Sequence, residues 1–91
     1  MRDYKEKMEA CRLPEDRYRE LRRYCLAHKD SPLISQVAYD AIGDELARYV
    51  IRHVTSRDYN MAKMEVDGLP CNRDTFRVYR ARFFCELDKR I

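Results

Sequence analysis

From Ile34 to Val54 the apolar residues Ile34, Val37, Ala38, Ala41, Ile42, Leu46, Tyr49, Val50 and Val54 recur at intervals of three and four, a stripe about five helical turns long. A strand would need a period of two, and no such alternation of β-branched residues persists beyond a few positions anywhere in the chain. The expected fold class is therefore all-α: a small bundle of four to five helices with a C-terminal helix-turn-helix. Gly43 sits in the middle of the stripe, followed by Asp44, which could cap a second helix, and divides the expectation evenly between a kink or short break and a continuous helix.

Helical signals continue on both sides. Pro14, with Glu15 and Asp16 behind it, suits the first turn of a helix that carries Tyr18, Leu21, Tyr24, Cys25 and His28 and ends near Asp30. Ser31-Pro32 restarts the chain. After the central stripe, Thr55-Ser56 offers an N-cap for a short helix with Tyr59, Ala62, Met64 and Val66 on its buried side. Asp67-Gly68 ends it, with Gly68 in the left-handed conformation. Leu69 tucks under the turn, Pro70 blocks continuation, and Asn72 can accept the first free amides of a last helix running from about Arg73 to the C-terminus.

With 91 residues, two glycines and three prolines, one domain is expected over 1–91, without a flexible interdomain linker. Residues 14–54 are its supporting helices and 55–91 the helix-turn-helix. Residues 1–13, dense in charge and anchored only by Tyr4, Met8 and Leu13, are a frayed helix or a disordered arm.

The formal net charge is only +3, so the placement of charge matters more than its total. Residues 1–50 hold ten Lys/Arg against ten Asp/Glu. Between 72 and 84, by contrast, Arg73, Arg77, Arg80 and Arg82 face Asp74 alone. That local excess equals the net charge of the whole chain.

By angle, Phe76, Tyr79, Phe83 and Leu87 share one face of the last helix and form its inward side, docked on the preceding short helix. Arg73, Arg77 and Arg80 follow one another at i, i+4 and i+7 along an adjoining stripe, flanked by Asp74 and Val78, with Phe84 on the same stripe further on. Guanidinium groups so arranged can meet phosphates and guanine edges, because arginine is planar, permanently charged and bidentate. A stripe of arginines is also commonly no more than a solvated face. Three features favour function: few acids for i,i+4 pairing, a Gly/Pro turn before the helix, and arginine rather than lysine throughout.

Over Asn72-Arg73-Asp74-Thr75-Phe76-Arg77-Val78-Tyr79-Arg80-Ala81-Arg82-Phe83-Phe84-Cys85-Glu86-Leu87 the chain resembles the recognition helix of region four in bacterial primary sigma factors. It is also similar, from Gly68 to Asp88, to small phage- and prophage-encoded proteins of Gram-positive bacteria. The resemblance implies a phage-type, DNA-binding transcriptional regulator. Arg73, Asp74 and Arg77 would contact bases or phosphates, Thr75 and Val78 would lie in the same interface, and Arg80 and Arg82 would hold the backbone. The chain departs from the sigma pattern at Val78, which replaces a polar reading residue, and in a turn about two residues longer. Double-stranded DNA is the implied partner, and RNA polymerase, a second subunit or a second copy of the chain would engage residues 14–54.

No catalytic, cofactor or metal site is expected. Cys11, Cys25, Cys71 and Cys85 form no close pair; Cys25-x-x-His28 comes nearest to a zinc knuckle. Without a signal peptide or an apolar run near 18 residues the chain is expected to be cytoplasmic, away from membranes, with its thiols reduced. Cys71, at a helix start, is expected to be a core contact beside the cap. Asp16/Glu20 and Asp40/Asp44 are carboxylates at i,i+4 on solvated faces. His28 and His53 are isolated residues that interact favourably with helix C-termini. Tyr18, Tyr24, Tyr49, Tyr59 and Tyr79 are expected at core rims with hydroxyls in water, leaving Tyr4 and Tyr39 as candidates for stacking on bases. The competing functional class is a helical protein-interaction module whose arginine stripe meets an acidic protein partner rather than DNA.

Overall fold

The computed structural model describes residues 13–91; the charged N-terminal segment with Tyr4, Met8 and Cys11 lies outside them. Among the described residues five helices follow one another: α1 (Glu15–Ala27), α2 (Pro32–Ile42), α3 (Asp44–Val54), α4 (Met61–Val66) and α5 (Arg73–Arg90). Among the described residues there is no strand, and no helix is long and apolar enough to cross a membrane.

Gly43 separates α2 from α3. Its φ of 91° and ψ of 168° lie in a region open essentially to glycine, and its N–H donates to Tyr39 O while its own carbonyl accepts from Ala47. One residue thus closes one helix and starts the next. The break also places Asp40 and Asp44 on different helices, so they are not an i,i+4 pair. Asp40 instead accepts from Arg90 at the far end of α5.

Helix α1 stops at Ala27, three residues before the expected end. His28 leaves the helical region and the chain turns through a Ser31 N–H to His28 carbonyl bond. Ser31 is extended, as a residue before proline tends to be, and Pro32 occupies the first turn of α2.

Thr55 does not open the fourth helix. Its hydroxyl donates back to Ile51 O at 2.7 Å, closing α3. Asn60 takes the capping role, its side-chain oxygen accepting from Lys63 N at 3.0 Å, and α4 is left with six residues. Its exit is a Schellman turn: Leu69 N–H donates to Met64 O, Gly68 N–H donates to Glu65 O, and Gly68 has a φ of 93°. Leu69 then packs against the core.

One hydrophobic cluster draws on all five helices, including Leu21 and Cys25 of α1, Ile34 and Val37 of α2, Val50 and Val54 of α3, Met64 of α4, and Phe76, Phe83, Phe84 and Leu87 of α5. Helix α5 packs chiefly along α2, and also against α1 and α3. The expectation that it docks on the preceding short helix is corrected: α4 is too short to offer a face, buries only Met64, and leaves Val66 87% exposed.

Helix α4 is instead fixed through the residue that ends it. The Tyr59 hydroxyl donates to Asp67 Oδ2 at 2.7 Å, the Tyr49 hydroxyl donates to the Asp67 carbonyl at 3.3 Å, and Arg52 lies over the Tyr59 ring and 3.6 Å from the same carboxylate. Tyr49 and Tyr59 are therefore buried residues with protein-bonded hydroxyls, not core rims open to water. Cys25 is free and wholly buried, and its thiol is pushed up to about 12 by desolvation. Cys71 is free, half-buried and packed against the core. Cys85 is disulfide-bonded, so the expectation of four reduced thiols does not hold for it.

Candidate nucleic-acid interface

The arginine-bearing helix begins with a side-chain cap. Asn72 Oδ1 accepts from Thr75 N at 2.8 Å, and Asp74 in the first turn complements the positive end of the helix dipole. Burial then divides the helix. In its first half Phe76 alone is buried, while Arg73, Asp74 and Arg77 are exposed and Thr75 and Val78 are half-buried. In its second half Phe83, Phe84, Cys85 and Leu87 are buried within a span of five residues. Apolar contact there wraps most of the circumference, and Phe84 packs on Tyr18 with ring centroids 4.6 Å apart.

The predicted interface residues do not form one surface. Arg73 and Arg77 project from the exposed tip, where Arg73 Nε donates to Glu65 Oε1 of α4 at 2.7 Å and Arg77 Nη1 lies 4.0 Å from Asp74. Both pairs are solvent-exposed, so each holds its arginine only weakly. Arg82 is exposed as well.

Arg80 departs from the stripe. It is half-buried and turned toward α1 and α3, with Nη1 3.1 Å from His53 Nε2 and its Nε enclosed without a hydrogen-bond partner. The physical reason is the progressive burial of α5: by the time the stripe reaches position 80, the helix has entered the bundle.

Around Arg80 lies a polar cluster that sequence reasoning missed. His53 Nδ1 is 2.8 Å from the Tyr59 carbonyl, which accepts only if Nδ1 carries the proton, and the lone pair at Nε2 then receives Arg80. Arg22 of α1 reaches over to donate to the His53 carbonyl at 3.0 Å and the Ser56 carbonyl at 3.3 Å, satisfying groups at the end of α3. Desolvation lowers the proton affinity of His53, and the charges of Arg22 and Arg80 lower it further against the opposing Tyr59 carbonyl. His53 is thus a buried neutral imidazole with an edge-on contact to Phe76. It is not the charged residue at a helix C-terminus that its position suggests. His28 is the exposed C-cap of α1, its ring 4.4 Å from that of Tyr24. The signal for the cluster was faint: Arg22, His53 and Arg80 are far apart in sequence, and nothing in local spacing joins them.

Tyr39 is 45% exposed. Tyr18 is half-buried beside Arg22 and Arg80, and burial raises its phenol's proton affinity while the two charges oppose that rise. Comparison with known proteins finds no matching family model, no matching curated protein and no matching solved structure.

Proposed function

We propose that this protein binds double-stranded DNA through the exposed first half of α5 and acts as a transcriptional regulator of the phage type, with α4, the Gly68 turn and α5 in the order of a helix-turn-helix that resembles sigma region four and with α5 braced by α1, α2 and α3 rather than by α4. The observation that carries this reading is the division of α5 into a capped tip bearing Arg73 and Arg77 and a buried second half that anchors it. A helix held this way can enter a major groove tip first, as recognition helices do.

In this reading Arg73 and Arg77 contact bases or phosphates, Asp74 and Thr75 lie beside them, Val78 makes apolar contact, and Arg82 approaches the backbone. Arg80 supports the helix from within. A small basic tip is weak for a lone monomer, and residues 14–54 offer the surface for RNA polymerase or a second copy of the chain.

The ion pairs Arg73–Glu65 and Arg77–Asp74 support a second reading, because the same guanidinium groups would accept carboxylates of an acidic protein partner. Duplex titration by fluorescence anisotropy separates the two. The wild type should bind at about 50 mM salt, and Arg73→Ala/Arg77→Ala should weaken binding and flatten its dependence on log salt by about 2. No binding by the wild type at that salt would leave only the protein-interaction reading.

A further inference from the structure

Beyond α5, the end of α1 and the loop between α3 and α4 enclose an open cleft of about 520 Å³. Arg23, Leu26, Ala27 and Lys29 of the α1 end line it together with Ser56, Arg57 and Asp58 of the loop, Asp58 being the one acidic residue of its wall. The cleft cations share with Arg48, Lys63 and Arg82 the lack of a carboxylate partner. Arg17, Arg19, Arg52, Arg73, Arg77, Lys89 and Arg90 each pair with a carboxylate; among the described residues Arg23, Lys29 and Arg57 have no carboxylate within 4.0 Å.

The wall is held in place from behind. Arg22 donates to the Ser56 carbonyl, fixing the loop just before Arg57, and the Asp58 N–H donates to Ser56 Oγ at 3.3 Å, which leaves the hydroxyl proton to point elsewhere. Arg22, which holds this wall, also faces Arg80 of α5. Arg57 and Arg80 both lie close enough to Arg22 to lower its proton affinity, after desolvation as the larger cause. Arg22 thus stands between Arg57 of the cleft wall and Arg80 of α5.

We infer that this cleft is a second phosphate-binding site, in which Arg23, Lys29, Arg57 and the Ser56 hydroxyl hold the backbone of the same DNA duplex whose groove receives the tip of α5. The inference rests on the DNA-binding reading and supplies the second basic element that a tip of two arginines needs. Three cations in an open cleft suit a phosphodiester, which offers two unesterified oxygens and stays partly hydrated. Asp58 works against them, and it leaves a net excess of two positive charges in the wall.

The test is duplex binding by fluorescence anisotropy from about 50 to about 200 mM salt with the full chain and three variants. These are Arg23→Gln/Lys29→Gln/Arg57→Gln, Arg73→Ala/Arg77→Ala, and a charge-matched control, Arg19→Gln/Lys89→Gln/Arg90→Gln. The cleft variant changes only exposed side chains, and circular dichroism should show it folded. It should bind at least about tenfold more weakly than the wild type near 100 mM salt, with a dependence on log salt flatter by about 2 to 3, since each lost phosphate contact removes about 0.9. The control should keep the wild-type slope.

A cleft variant with wild-type slope, alongside a tip variant that loses binding, overturns the cleft and leaves the α5 reading standing. A control that loses as much slope as the cleft variant also overturns it, because net charge would then explain the effect. If the tip variant binds normally and the cleft variant fails, the cleft stands and the reading of α5 falls. A wild type that binds no duplex overturns both.

Discussion

Arg80 and His53 meet at 3.1 Å between α5 and α3 in a contact that exists only while the imidazole is neutral, because Nε2 must offer its lone pair to the guanidinium. Arg22 faces the same imidazole from α1, the Tyr59 carbonyl holds its other nitrogen, and Phe76 packs edge-on against its ring. Protonating His53 would place a third positive charge beside two arginines.

Stability should therefore fall with acid. The folded-state pKa of His53 lies below its ordinary value of 6.5, so the neutral, buried form contributes fully above that value. The contribution is lost as pH falls through 6.5 toward the lower folded-state pKa, because the unfolded chain takes up the proton first. Urea melts between about pH 7.5 and 5 should show a decline of at most about 1.4 kcal/mol per pH unit, absent in His53→Gln. NMR titration of Arg80→Met should show the His53 pKa moving upward but not fully restored, since desolvation is the larger cause.

Gly43→Ala should destabilise the fold by about 1–3 kcal/mol even though no atom lies within 4 Å of the added methyl group. The cost comes from the backbone, at φ 91° and ψ 168°, and not from crowding. Chemical denaturation would measure it, and a change under about 0.5 kcal/mol would mean that the break between α2 and α3 can be made another way.

Asn72→Ala should cost about 1 kcal/mol by removing the acceptor for Thr75 N, and Asn72→Asp should restore most of it. Amide exchange in the first turn of α5 should quicken in the alanine variant while the buried second half of the helix stays protected.

Removing the carboxylate that holds Arg73 tests whether the charge of the tip is what binds its partner. Glu65→Gln should tighten duplex binding by about two- to fivefold, because it frees a guanidinium now 2.7 Å from the carboxylate and removes one negative charge beside the tip. A partner bound through carboxylates would respond in the same direction, so the measurement is made with duplex in parallel with an acidic peptide.

Thiol labelling should follow burial. Cys71 should react slowly in the native protein, its proton affinity raised by desolvation and by Glu45. Cys25 should react only on global unfolding, with its thiol raised to about 12. Mass spectrometry after iodoacetamide treatment, with and without denaturant, reads both.

Much of this architecture is written in local chemistry. The Ile34–Val54 stripe, the Gly68 turn and the Asn72 cap are signals confined to a few neighbouring residues, and the structure uses each as its chemistry dictates. At Gly43 the sequence held two outcomes in balance, and the positive φ that only glycine takes without strain decided for a break. The boundary at Thr55 was misleading because its hydroxyl can serve either end of a helix, and here it bonds backward to Ile51. Least legible were the long-range polar contacts. Arg80 was indistinguishable by spacing from Arg73 and Arg77, yet the bundle closes over it, and Arg22 showed no sign of reaching His53. Such residues are placed by the packing of whole helices, which no short window of sequence contains.

Asp67 ties the last residue of the α4 segment to Tyr49, Tyr59 and Arg52, while the body of α4 buries little besides Met64. The short helix is therefore a spacer pinned at its downstream end. Its upstream turn can loosen without disturbing the direction in which the chain leaves toward Arg73. The chain's exit toward Arg73 is thus held by a knot of hydroxyl, carboxylate and guanidinium groups upstream of α5, while the buried second half holds α5 itself, so the turn before the arginine-bearing tip can change by mutation at Tyr49, Tyr59 or Arg52 while every residue of the tip stays the same.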